Sequence, residues 1–343
     1  MEEFKKKVNE LVTPTILANQ LNVSEKTLWW LVKICSTDIA SIGADKMYAP
    51  YTKMMIKTTS KVREVYAPSD RVRGIQNMLL RVVWDSIDPG EHSRAYERGM
   101  LLKTPGEELK GSGVIVGLDF KDFFHSISKK QVTELLVHNG YTQKVASIIA
   151  TLSCVRDTYS KIPQGGISSA QIANRVAAWL IDPIVNSVCA KYGEYKYIRY
   201  SDNIYIGFDK EVTGNSVISD LRTTLSKAGW RNHKPRVMPY YRRQQLLGMV
   251  VNSKANAIRS DYKKLLCAMY NVGKCETRED ATNQILNMAS LGVNISNMGK
   301  VYLSLRGKCA YYCTLVNPNV ASKLNYYLDR FVEKCKQLQV NLQ

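Results

Sequence analysis

Acidic residues are scarce in this chain: 30 aspartates and glutamates stand against 48 lysines and arginines, a net charge of +18. A surface that basic repels itself unless it meets a polyanion, which places nucleic acid ahead of an anionic membrane as the partner class. Long hydrophobic runs are lacking too, since none approaches the ~20 residues of a membrane span. The polar start Met1-Glu2-Glu3-Phe4-Lys5-Lys6-Lys7 is unlike a signal peptide, so a cytoplasmic protein that uses no membrane is expected. Histidine numbers four, and the eight cysteines include no CxxC. Cys309 and Cys313, one helical turn apart, form a poor zinc site without a second pair, and the thiols read as reduced and mostly buried. Low-complexity segments and internal repeats are absent.

What is there is a chain of 343 residues, long enough for two or three subdomains with a substantial core. Residues 1–50 read as helical. Thr15–Ser24 followed by Glu25–Lys33 has the turn of a helix-turn-helix, but Leu28, Trp29, Trp30, Leu31 and Val32 leave no basic face, so a packed helical pair is expected. Residues 51–75 alternate extended segments with Lys53, Lys57, Lys61, Arg63, Arg71 and Arg73, and Gln76–Ile87 is apolar-periodic up to Asp88-Pro89-Gly90. Val114–Phe120 is an apolar strand ending near Asp119. Ser128-Lys129-Lys130-Gln131 is a capping box for a helix that Asn139-Gly140 closes. Ser168-Ser169 opens another, with Ile172, Val176, Leu180 and Ile184 at every fourth position and Gln171, Asn174 and Arg175 on its polar side. The apolar runs Tyr195–Tyr200 and Ile204–Phe208 flank a bend. From Ser253 onward the chain reads as helical and basic, with Lys263, Lys264, Lys274, Lys300, Arg306 and Lys308.

Four segments carry chemistry: Leu118–Ile127, Ile162-Pro163-Gln164-Gly165-Gly166, Tyr200-Ser201-Asp202-Asn203, and Ala228–Lys234 preceding Gln245–Asn252. A carboxylate ending one buried strand and another on a neighbouring hairpin can hold two divalent cations, which want oxygen ligands. In this order and spacing the segments resemble the reverse-transcriptase palm, in the bacterial branch with retrons, group II intron enzymes and related antiphage-defence proteins. The resemblance runs from about Lys57 to Asn252, with a looser match around Leu305-Arg306-Gly307-Lys308.

That resemblance implies an α+β, right-hand polymerase: fingers with a helical N-terminal extension over 1–110, an antiparallel-sheet palm over 111–252 holding part of the fingers, and a helical, RNA-binding thumb over 253–343. The implied activity is RNA-directed DNA synthesis. Asp119 and Asp202 would hold Mg2+, with the Phe120 backbone carbonyl as a further ligand. Phe124 matches the steric gate that blocks a ribose 2′-hydroxyl. Gln164 and Gly165 match the turn against the nascent base pair, and Lys57 and Arg63 match the bases that grip the dNTP triphosphate. Lys234 matches the lysine that protonates pyrophosphate, with His233 a weaker competitor. Leu247 and Gly248 match the primer grip. Implied partners are dNTPs, a structured non-coding RNA as template and in some cases primer, its DNA product, and a toxic effector protein in antiphage defence.

The chain also departs from the pattern. Asn203 stands where the usual Tyr-x-Asp-Asp has its second aspartate, so weaker cation binding and a shift of preference toward Mn2+ are expected. Asp122 and Asp209 are poor substitutes. Asp122 should face solvent, and Asp209 lies at the far end of the hairpin, roughly 20 Å from Asp202 at strand rise. Thr104-Pro105-Gly106-Glu107-Glu108-Leu109 replaces the retron Asn-Ala-x-x-His, and Leu246-Leu247-Gly248 replaces Val-Thr-Gly, while Pro163–Ile167 is nearer the intron enzymes. The subfamily, retron or another defence type, stays open. So do two other activities: an impaired reverse-transcriptase fold that scaffolds an RNA, and an untemplated DNA polymerase.

Overall fold

The computed structural model describes residues 13–41, 49–57, 62–101, 103–253, 256–316 and 318–341. The first twelve residues of the expected helical start, and Lys61, lie outside them. The chain divides into two compact units. The first comprises residues up to 100, 116–208 and 212–237; the second comprises 101–115, 209–211 and 238 onward.

The first unit opens with two helices, α1 (Pro14–Gln20) and α2 (Glu25–Cys35), capped by the side chains of Thr13 and Ser24. They pack as the expected pair: Leu17, Leu21, Leu28 and Leu31 are buried, while Trp29 is exposed. Strands β1 (Tyr51–Lys57) and β2 (Val62–Pro68) form an antiparallel hairpin. Helix α3 spans Asp70–Val82, so it begins six residues before the expected Gln76. Ser69 adopts the extended cap conformation and Asp70 places a carboxylate in the first turn, which favours an early start. Arg71 and Arg73 are therefore helical, not extended.

The next helix, α4 (Thr104–Leu109), belongs to the other unit. Strand β3 (Val114–Phe120) is buried along nearly its whole length, as a nearly continuous apolar run predicts for a central strand. Helix α5 (Lys129–His138) has the predicted capping box, with the Gln131 N–H donating to Ser128 Oγ and the Ser128 N–H donating to Gln131 Oε1. Helix α6 (Gln143–Ser153) packs on α5 and on α1–α3. The short hairpin β4 (Val155–Asp157) and β5 (Tyr159–Lys161) leads to α7 (Ser169–Leu180) and α8 (Asp182–Cys189). Strands β6 (Tyr195–Tyr200) and β7 (Asn203–Phe208), helix α9 (Gly214–Lys227) and strand β8 (Asn232–Pro239) follow. The four long strands form one sheet in the order β6-β7-β3-β8.

One expectation changes in α7. Asn174 and Arg175, read as its polar side, are buried. Arg175 Nε donates to the Trp84 carbonyl at 2.6 Å, and Asn174 Nδ2 donates to the Ala95 carbonyl at 2.7 Å. The helix has apolar partners on one face and a satisfied polar interior on the other, which a helical period cannot distinguish from a solvated face.

The second unit holds a small sheet of β9 (Gln245–Leu246), β10 (Met249–Val250) and β11 (Asn256–Ala257). Besides α4, its described residues form the helices α10 (Arg259–Lys274), α11 (Arg278–Asn287), α12 (Met298–Leu315) and α13 (Pro318–Gln337). Their core includes Leu265, Met269, Ile285, Leu305, Leu324 and Phe331, with Cys309 among them. Among the described residues no helix is long and apolar enough to cross a membrane. Because Ser128 and Gln131 satisfy each other's backbone donors, Ser128→Ala should lower stability by about 1 kcal/mol. Urea titration followed by circular dichroism would measure it, and an unchanged midpoint would refute the cap's contribution.

Candidate active site

Strand alternation sets the first carboxylate. Phe120 turns into the core at 2 % exposure, and Asp119 beside it faces the other way with its side chain 20 % exposed. The second comes from the turn between β6 and β7, where Tyr200 pairs with Asn203 and Ser201 takes φ +57. The Phe120 N–H donates to the Asp202 carbonyl at 2.7 Å. That bond fastens the turn to the end of β3, so the backbones bearing Asp119 and Asp202 adjoin.

Strand β8 brings bases to the same carboxylate. Lys234 Nζ lies 3.4 Å from Asp119 Oδ2 and His233 Nε2 lies 3.6 Å from it. Lys234 holds φ +49, a left-handed conformation that costs a non-glycine residue about 1 kcal/mol or more and is typical of functional positions. Asn203 Nδ2 donates to Asp202 Oδ1 at 2.9 Å. The amide thus hydrogen-bonds the carboxylate where an aspartate would repel it. Asp122 is exposed, as expected, and sits 3.7 Å from Arg231. Asp209 follows the far end of β7 and is also exposed.

The turn after β3 separates two phenylalanines. Phe123 is buried against Phe120 and Trp230, whereas Phe124 is only half-buried, its ring edge-to-face with Phe123. Phe124 is therefore not the core residue; Phe123 is. Gly165 takes φ +106, and a Cβ there would lie 2.8 Å from Val65 Cγ1 and 2.9 Å from the Tyr66 carbonyl oxygen. Only glycine permits this approach, which lets the Gln164 carbonyl accept from the Tyr66 N–H at 2.8 Å. Lys57 and Arg63 are exposed at the end of the β1–β2 hairpin where the two strands connect, Lys57 pairing with Val62 and Arg63 with Ile56.

Farther down that hairpin the charges are committed. Lys53 contacts Glu64 and Asp157, each at 2.8 Å, and the buried Lys161 lies 3.5 Å from Glu64. The Tyr66 hydroxyl hydrogen-bonds both acids. The hydrogen bonds that Lys53 donates to Asp157 and then to Glu64 hold its pKa above the usual value. In the other unit, Leu247 and Gly248 form a tight turn with φ +49 and +78, and Tyr311 Oη donates to the Leu247 carbonyl at 2.7 Å.

Residues 53–249, more than half of the chain, match the family described as reverse transcriptase (RNA-dependent DNA polymerase). The chain belongs to the reverse transcriptase family. Its relatives include the retron Ec86 reverse transcriptase of Escherichia coli, 26 % identical over 161 residues, covering 47 % of this chain and 49 % of that protein. The retron Mx65 reverse transcriptase of Myxococcus xanthus is 24 % identical, covering 65 % and 56 %. The retron Mx162 reverse transcriptase of the same organism is 23 % identical, covering 82 % and 64 %. The matches thus span between about half and two-thirds of these relatives' length. Among solved structures the chain is similar to telomerase from Candida albicans, with TM-score 0.45, 10 % identity, and coverage of 92 % and 69 %. Members of the reverse transcriptase family generally use divalent metal ions.

Two residues that hold this candidate site in place escaped the sequence reading. Gln76 is fully buried in α3. Its Nε2 donates to Tyr51 Oη at 2.6 Å and to the Leu152 carbonyl at 3.1 Å, while its Oε1 accepts from the Ile167 N–H at 3.0 Å. It joins strand β1, α6 and Ile167, two residues after the Gln164–Gly165 turn. A lone glutamine among periodic apolar residues was the available signal. The other is Arg199, fully buried next to Tyr200, whose Nε and Nη2 donate to Asp182 at 2.9 and 3.0 Å. Burial works against its charge, but Asp182 outweighs that and leaves the pKa raised. Asp182→Ala would strand this guanidinium and should cost roughly 3–5 kcal/mol. Thermal unfolding of the variant would measure it; a loss within ~0.5 kcal/mol, ordinary for a surface change, would mean the pair does not hold the hairpin.

Proposed function

We propose that this chain is an RNA-directed DNA polymerase that copies a dedicated, structured non-coding RNA into DNA with dNTPs. The observation that carries the reading is the 2.7 Å bond from Phe120 N–H to the Asp202 carbonyl, which sets the Asp202 turn beside Asp119. Similarity to retron reverse transcriptases supports the template class, and the net charge of +18 supports a polyanionic partner. In this reading residues 1–110 form the fingers, 111–252 the palm, and 253–343 a helical thumb that holds RNA by phosphate and shape. The role is antiphage defence with an effector protein as partner.

The donor set suits Mg2+. Among the described residues no three His, Cys, Asp or Glu side chains cluster as a ready-made metal cage. Mg2+ commonly rests on one or two carboxylates plus substrate phosphates, and the Asp119 and Asp202 carboxylates with the Phe120 carbonyl offer hard oxygens of that kind. Bound there, two ions would acidify the attacking 3′-hydroxyl and offset charge on the departing pyrophosphate. Lys234 balances Asp119 and supplies a proton to pyrophosphate. Asn203 steadies Asp202 through its amide N–H without adding charge, which weakens the pull on a cation and favours Mn2+. Lys57 and Arg63 reach the triphosphate, Gln164 and Gly165 bear on the nascent base pair, and Phe124 excludes a 2′-hydroxyl. Leu247 and Gly248 present backbone to the primer.

Primer extension on an RNA template tests the reading. The protein should extend with Mn2+ or Mg2+, and Asp119→Asn or Asp202→Asn should cut the rate on the order of 10²–10³-fold. Asn203→Asp should raise the Mg2+ rate relative to the Mn2+ rate. Inertness with both metals on the RNA that copurifies would overturn the proposal. Activity created from none by Asn203→Asp would support an RNA scaffold instead, a reading favoured by the amide hydrogens that Asn203 turns to Asp202. Separately, Phe124→Ala should raise rNTP use over dNTP use by about 10-fold or more. Unchanged discrimination would remove Phe124 as the gate.

A further inference from the structure

The loop between β8 and β9 carries Tyr240-Tyr241-Arg242-Arg243, and every one of these residues is exposed. Tyr240 is 50 % and Tyr241 72 % exposed, and their rings meet edge-to-face with centroids 5.6 Å apart. Lys210 Nζ lies 4.5 Å from the Tyr240 ring centroid. A flexible loop would be expected to fold such rings away from water. This one is held open by its backbone.

The restraints are specific. The Tyr240 N–H donates to the Gly113 carbonyl at 2.7 Å. Asn252 Nδ2 donates to the carbonyls of Tyr240 at 3.0 Å and Arg242 at 2.7 Å, and its Oδ1 accepts from the Gln244 N–H at 2.9 Å. Gln244 is fully buried and donates to the carbonyls of Ser112 at 2.9 Å and Met238 at 3.1 Å. Gly113 also lets residues 209–210 pass close, since a Cβ there would lie 2.2 Å from the Lys210 nitrogen. All these residues belong to one unit. The Asn252 and Gln244 amides thus hold the backbone of a loop whose side chains reach into solvent.

We infer that this loop is a stacking platform for single-stranded nucleic acid. The exposed face of Tyr241 takes a base, which any base can supply because each has a π-face, and Tyr240 backs it edge-on. Arg242, Arg243 and Lys210 take the flanking phosphates. The aromatic faces demand unpaired bases and the surrounding cations demand an anion, so a protein or a lipid surface fits less well. The platform extends the polymerase reading by naming a holding point for an unpaired strand, and its test does not depend on catalysis.

The test is fluorescence anisotropy of the full chain in EDTA without dNTPs, with labelled oligouridylate, oligothymidylate and a duplex RNA of equal length. Tyr241→Ala should weaken both single strands by roughly 10-fold or more and leave the duplex nearly unaffected. Tyr241→Trp should restore binding, because stacking and not the hydroxyl is at work. Arg242→Ala with Arg243→Ala should weaken binding and make its salt dependence shallower by about 0.7 for each phosphate that is no longer neutralised. Single-strand binding unchanged in Tyr241→Ala, or single-strand and duplex binding falling together, would overturn the platform. Neither outcome touches the polymerase reading, which fails only in the extension assay. A preference between the two single strands would support the platform and say whether RNA or DNA occupies it.

Discussion

The buried guanidinium of Arg199 is the constraint from which the site follows. A charge with no solvent exposure is tolerable only if its donors are met, and here they are met by Asp182, by Asn174 Oδ1 at 3.2 Å and by the carbonyls of Pro89 and Asn174. Tyr197 Oη adds a bond to Asp182 at 2.7 Å. The arrangement links α7, α8 and the strand that runs into Tyr200-Ser201-Asp202-Asn203. The hairpin is thereby held from behind, while the Phe120 N–H holds it from the β3 side. Displacement of either support would leave buried polar groups without partners.

Electrostatics around the two aspartates reflects the same economy of acids. In a chain with 18 more basic than acidic residues, carboxylates are readily neutralised. Asp119 has Lys234 and His233 within 4 Å, and Asp202 has an amide from Asn203. The usual second aspartate would add repulsion that only bound cations relieve. Asparagine removes that repulsion, and with it one negative charge beside Asp202.

The basic surface is unevenly committed. On the β1–β2 hairpin Lys53 is tied to Glu64 and Asp157, and Lys161 of β5 to Glu64, whereas Lys57 and Arg63 at the hairpin's connected end are exposed. In the second unit the Tyr240–Arg243 loop is similarly exposed, though its backbone is restrained. In both places a structured base supports exposed groups suited to phosphates or bases. Preorganisation of this kind lowers the entropy lost on binding.

Much was legible from local pattern. The capping box at Ser128, the buried strand ending near Asp119, the hairpin around Asp202 and the helical basic end all depend on spacing along the chain, and spacing survives folding. The start of α3 was misplaced because an extended residue before an acidic one is a weak signal beside apolar periodicity. What only the tertiary structure decided was which polar residues turn inward. Gln76, Asn174, Arg175, Arg199 and Gln244 are buried because distant carbonyls, carboxylates and hydroxyls meet them there, from segments up to 132 positions away for Gln244 and Ser112. Apolar periodicity records what avoids water. It carries no record of which polar groups find partners across the fold, and those partners hold both the Asp202 hairpin and the Tyr240–Arg243 loop in place.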